Sequence, residues 1–158
     1  ALTVPGRTPG LFSHDSTKAM ELAGMRAVMA IERELGNVPT DVSADKCGYD
    51  IESRVPDSLR RGDEPTLRMI EVKARMAGAD TITVSRNEIL CALNKADRAA
   101  SAILAIVEVD GNRTKTTYLT DAFKDNVGFE VTSVNYNIDK LKQTGTVLLE
   151  RTDVWQAV

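Results

Sequence analysis

The stretches GYDIESR (Gly48–Arg54) and LRMIEVKAR (Leu67–Arg75) decide how this chain reads. In the second, Glu71 and Lys73 are two residues apart, so on a strand both side chains leave from one face while Ile70 and Val72 leave from the other. Arg75 continues the charged face. A Glu-x-Lys triplet on a strand is, by itself, most often a surface ion pair. Asp50 changes that weighting. It stands in the preceding strand, and the polar loop Pro56 to Pro65 is rich in turn residues, so a hairpin would carry Asp50 to the side of Glu71. Two carboxylates held together repel unless positive charge sits between them, and a divalent cation is the usual remedy.

The chemistry that follows is metal-assisted. Asp50, Glu71 and the backbone carbonyl of Val72 offer hard oxygen ligands for Mg²⁺ or Mn²⁺. Such an ion polarises a phosphodiester oxygen and activates a bound water, and Lys73 would orient that water or stabilise charge on the phosphate. Arg75, Arg54, Arg86 and Asn87 are candidate nucleic-acid contacts. The first helix adds Glu21 and Glu32 on nearly one stripe, but eleven residues of helix set them about 16 Å apart, so at most one reaches the ion. Glu21 is kept as a candidate ligand, and a solvated helix face is the plainer account of both.

Outward from these strands, Met20, Ala23, Gly24, Ala27, Ile31 and Leu35 recur at helical spacing, predicting a helix over Thr17 to Leu35 that stops at Gly36. Residues 1–15, with two prolines and two glycines and no periodicity, read as a leader or linker ahead of one domain over 16–158. Short strands are expected at Asp41 to Ser43, Tyr49 to Arg54 and Leu67 to Arg75, joined as an antiparallel meander. Ser85-Arg86-Asn87-Glu88 fits a capping box, which accounts for Glu88, and Ile89, Leu90, Leu93 and Ala96 continue it as a second helix. Ala102 to Val109 is apolar and β-branched, as befits a central strand buried on both faces. Lys115 to Thr120, Val131 to Tyr136 and Thr146 to Leu149 read as further strands, with a short helix at Ile138 to Leu141. The result is an α/β fold around a mixed sheet, in the order α-β-β-β-α-β with C-terminal strands added.

Composition bounds the rest. With 42% apolar and 27% charged residues among 158, the chain is long enough for one packed core. No apolar run approaches the length of a membrane span, and a cytoplasmic location is expected. Cys47 and Cys91 lack disulfide or zinc spacing. A net charge of −3 argues against tight binding to nucleic acid by bulk electrostatics, although Arg54 to Arg98 is mildly basic. An aromatic content of 4% gives little material for base stacking, which weighs against sequence-specific recognition of single-stranded RNA. His14 falls in the leader and is set aside, and Trp155 is expected to anchor the last segment to the core.

GYDIESR and MIEVKARMAGADTITVSRNEILCALNK (Met69–Lys95) resemble a domain that bears the name of the plant protein NO VEIN, commonly appended to helicases of superfamily two or the Swi/Snf type. AMELAGMRAVMAIERELG (Ala19–Gly36), DVS (Asp41–Ser43), ILAIVEVDG (Ile103–Gly111) and, more loosely, VGFEVTSVNY (Val127–Tyr136) extend the resemblance. That family is similar in turn to the PD-(D/E)xK, restriction-endonuclease-like nucleases. The resemblance implies that Asp50, Glu71 and Lys73 are catalytic, that Glu21 is the helix-one acid some members use, and that a helicase or ATPase domain delivers DNA. A homodimer is a further expectation, because many such nucleases cut both strands as dimers. Ala74 departs from the pattern, standing where Gly is expected, and would crowd a substrate approaching the backbone. The competing expectation is a catalytically inactive module that keeps the scaffold for nucleic-acid or protein contacts, and RNA stands as an alternative substrate.

Overall fold

The computed structural model describes residues 9–94, 100–124 and 127–156, with side chains from Thr17 on. It is a mixed α/β structure. The first helix, α1, runs Pro9–Glu34. It begins ahead of the expected Thr17, since Pro9 is at ease in a first turn where no N–H is needed. Residues 1–8 of the expected leader, and Ala96 of the expected second helix, lie outside the described residues.

Strands β1 (Val38–Asp41), β2 (Ile51–Arg54) and β3 (Leu67–Met76) form the expected antiparallel meander. β1 lies earlier than its expected Asp41 to Ser43, because the Asp41 carboxylate accepts bonds from the Ser43 amide at 2.9 Å and hydroxyl at 2.6 Å and so turns the chain there. After β3 comes β4 (Thr81–Ser85), an element that the sequence reading lacked, then α2 (Arg86–Leu93), β5 (Ala100–Asp110), β6 (Arg113–Thr120), β7 (Ser133–Asn137), α3 (Ile138–Thr144) and β8 (Thr146–Val154).

Six strands make one sheet in the order β1-β2-β3-β5-β6-β8, and β4 pairs with β7 in a separate two-stranded sheet. Among the described strands only the β3–β5 pair is parallel, with α2 lying between them in the chain. Every other pairing is antiparallel. The expected mixed sheet is therefore present, and of the C-terminal strands two extend it while the third caps its other side.

The two faces of the sheet are covered differently. On one, Ala27, Val28 and Ile31 of α1 pack on Ile51, Ile70, Ala105, Val107 and Tyr118. Gly24 lets the helix come close: a Cβ there would lie 2.8 Å from the Ala74 Cβ. Ala74 thus points toward α1, and the expectation that it crowds a substrate is corrected: strand alternation turns it away from Glu71 and Lys73. On the other face, Ile82, Val84, Ile89, Ile138 and Leu141 cover Leu104, Ile106 and Leu119. No described helix is long and apolar enough to cross a membrane. Trp155 anchors the last segment as expected, its indole N–H donating to Thr114 Oγ1 at 2.9 Å while Arg26 stacks over the ring.

Candidate functional site

The β2–β3 register pairs Ile51 with Ile70, which sets Asp50 opposite Glu71 at the point where β2 begins. The turn before it requires Gly48, whose φ is +95° and where a Cβ would stand 2.9 Å from the Cys91 Cβ of α2. Asp50 is fixed by its own backbone N–H, donated to Ile70 O at 2.9 Å, and by the Val72 amide, which donates to Asp50 Oδ2 at 2.9 Å. N–H and C=O of one strand residue leave by the same edge, so the Val72 carbonyl is directed to the edge where Asp50 stands.

Lys73 comes from the same face of β3 as Glu71, and its Nζ lies 3.3 Å from Glu71 Oε1 and 3.0 Å from Glu88 Oε1. Glu88 is the residue that sequence reasoning assigned wholly to helix capping. The capping box is present, with Ser85 Oγ accepting from the Glu88 amide at 3.1 Å and Glu88 Oε1 accepting from the Ser85 amide at 2.8 Å. The same carboxylate also meets Lys73, so one side chain both starts α2 and closes the charged cluster. Nothing in the sequence pattern placed the start of α2 over Lys73, so this second contact had no signal there.

Two carboxylates, Glu71 and Glu88, meet the Lys73 ammonium, and Asp50 stands close enough to feel its charge. Burial pushes the Glu71 carboxyl up to about 10, and the Asp50 charge and a hydrogen bond with Glu88 push the same way. Without a cation beside it Glu71 keeps its proton well above the usual carboxylate range, and its closeness to Lys73 is then a hydrogen-bonded contact; a bound cation would take the place of that proton. Burial also raises Asp50, against bonds from Val72 and Glu71 that favour its ionised form. Lys73 loses solvation, but Glu71 and Glu88 outweigh that loss and hold its pKa above the ordinary lysine value. Glu88 is likewise desolvated, yet bonds from Glu71, the Ser85 amide and Lys73 hold it below the usual carboxylate range.

A cavity of about 130 Å³ opens beside these acids, with Tyr49, Met69, Leu104, Leu119 and Phe123 in its walls and Glu71 and Glu88 at one end. Among the described residues no three His, Cys, Asp or Glu side chains converge as a ready-made metal cage. The donors present are nevertheless the kind Mg²⁺ takes, since it binds through one or two carboxylates and keeps several waters.

Of the other expected residues, Glu21 is exposed on α1, which packs on the opposite face of β3, and the structure does not bring it to Asp50 and Glu71. Glu32 is fully buried on that opposite face, where Arg68 grips it through two bonds of 2.9 and 3.0 Å and Tyr118 donates at 3.0 Å. Arg54 and Arg75 are exposed near the ends of β2 and β3. Asn87 is exposed one residue before Glu88, and Arg86 stacks over Phe129. No curated protein and no solved structure gives a significant match to the chain. The family model described as "Protein NO VEIN, C-terminal" matches residues 20–119, a span that runs from α1 into β6 and contains Asp50, Glu71, Lys73 and Glu88, and the chain belongs to that family.

Proposed function

We propose that the Asp50–Glu71–Lys73 cluster is a metal-dependent phosphodiesterase site acting on DNA, on a restriction-endonuclease-like core. The observation that carries this reading is the register of β2 against β3, which sets two carboxylates opposite one another with a lysine on the same face. The mixed six-stranded sheet and the order α1, β1, β2, β3, α2, β5, with β4 inserted between β3 and α2, support this reading.

Asp50, Glu71 and the Val72 carbonyl would hold Mg²⁺ or Mn²⁺, which when bound supplies a polarised phosphate and an acidified water. The chain's own residues do the rest. The Val72 amide fixes the orientation of Asp50. Lys73, tethered by Glu88, keeps a positive charge at the place where negative charge gathers on a phosphate under attack. Glu88 in turn ties that lysine to the start of α2, joining strand and helix through one side chain.

With a net charge of −3 the domain is a weak binder alone, and a helicase or ATPase domain in the same or a partner chain would supply most of the affinity. Cutting both strands of a duplex would call for two copies. A second reading keeps the scaffold without catalysis, and one observation favours it: Lys73, between Glu71 and Glu88, already supplies from the chain the positive charge a cation would bring.

The test is a cleavage assay on labelled DNA and RNA of mixed structure with Mg²⁺ or Mn²⁺, comparing the wild type with Asp50→Asn and Lys73→Met. Cleavage abolished by Asp50→Asn and lowered roughly 10²- to 10³-fold by Lys73→Met is expected. Equal cleavage by all three proteins, or none by the wild type with either metal, contradicts the proposal.

A further inference from the structure

Phe129 is 92% exposed, and among the described aromatic side chains it is the one that stands mostly in solvent. The Arg86 guanidinium carbon lies 4.7 Å from the centre of its ring. Arg86 is fixed at its root: it opens α2 after the Ser85 cap, and its amide donates to Thr132 O at 2.9 Å, tying the loop of Phe129 to the helix. Its Nε is buried and finds no hydrogen-bond partner among the described residues. The result is an aromatic face backed by a cation, on the helix whose first turn also carries the Glu88 that holds Lys73.

We propose that Phe129 and Arg86 form a platform for one unpaired base, so that the strand entering the Asp50–Glu71–Lys73 site is single-stranded or frayed rather than intact duplex. The proposal rests on the reading of that site as a nucleic-acid site. A base offers a flat face to the ring, and the phosphate beside it offers acceptors to the guanidinium. A protein partner would need contiguous apolar surface, and the neighbours of Phe129 are Gly128 and Glu130, while the other exposed large apolar side chains belong to other parts of the chain. Glu130 makes the loop a poor site for phosphate by charge alone, so the affinity has to come from stacking and the Arg86 donors. Phe129 also lies beyond the residues matched by the family model.

The experiment is fluorescence anisotropy in EDTA at low salt, where nothing is cut, using labelled oligo(dT), an abasic strand of equal length, and a duplex. The wild type should bind oligo(dT) on the order of tenfold more tightly than the abasic strand. That preference should vanish in Phe129→Ala, return in Phe129→Tyr, and weaken in Arg86→Gln. Equal binding of the two strands by the wild type, no binding of any probe, or a base preference that survives Phe129→Ala overturns the platform. If Asp50-dependent cleavage persists in those cases, the platform alone is wrong. If the base preference holds while no protein cuts, the site reading fails and a binding module remains.

Discussion

Burial and the Asp50 charge push the Glu71 carboxyl far above its ordinary value, and with no cation bound this ties folding to pH. The unfolded chain loses the carboxyl proton near 4.5 and the folded chain near 10, so between these values the folded state binds more protons. The stabilisation is complete below the lower value and is lost as pH rises toward the upper one, at up to about 1.4 kcal/mol per pH unit. In EDTA, thermal unfolding of the wild type from pH 5 to 9 should therefore fall more steeply than that of Glu71→Gln. Parallel curves would show that Glu71 ionises normally. The convergence of Asp50, Glu71 and Lys73 was legible because strand alternation and one hairpin leave few alternatives. Glu88 was not, since its capping role explained it fully until the position of β4 was known.

Two contacts between elements determine how the site is held. Gly24 of α1 and Ala74 of β3 meet where a second Cβ would be 2.8 Å from the first. Gly24→Val should destabilise the protein by about 1–3 kcal/mol in denaturant titrations, and Ala74→Gly should recover part of that loss. A cost unchanged by Ala74→Gly would place the crowding elsewhere. At the start of α2, Ser85→Ala removes the side-chain acceptor of the capping box and should cost roughly 1 kcal/mol. It should also lower cleavage, because Glu88 then tethers Lys73 less firmly; stability loss with activity intact would separate the cap from the site. At this scale the meander, the capping box and the buried β5 were readable from periodicity. β4 was missed although Ile82 and Val84 alternate with polar residues, because five residues leading straight into a cap also read as the approach to a helix.

For the molecule as a whole, the division of labour between the two sheet faces is the main result. Charge on the α1 face is spent on structure: Glu32 is fully buried, yet Arg68, Tyr118 and Asn37 all bond to it. Removing one partner by Arg68→Leu leaves a buried carboxylate and should cost on the order of 3–5 kcal/mol in unfolding experiments, with the metal response of any folded fraction unchanged. Charge on the α2 face is left partly unneutralised, with Asp50 and Glu88 against one lysine even while Glu71 holds its proton, which is why the functional reading belongs there. Which face would take which acid could not be read from the helix-one stripe, since Glu21 and Glu32 share it and only packing shows that it turns away from Asp50. Calorimetric titration of Mn²⁺ and Mg²⁺ into the wild type and Asp50→Asn tests most directly the proposal that Asp50 and Glu71 hold a divalent cation. One saturable site in the wild type, lost in Asp50→Asn while the fold persists, is the predicted result; no binding by the wild type, or equal binding by both proteins, would contradict it.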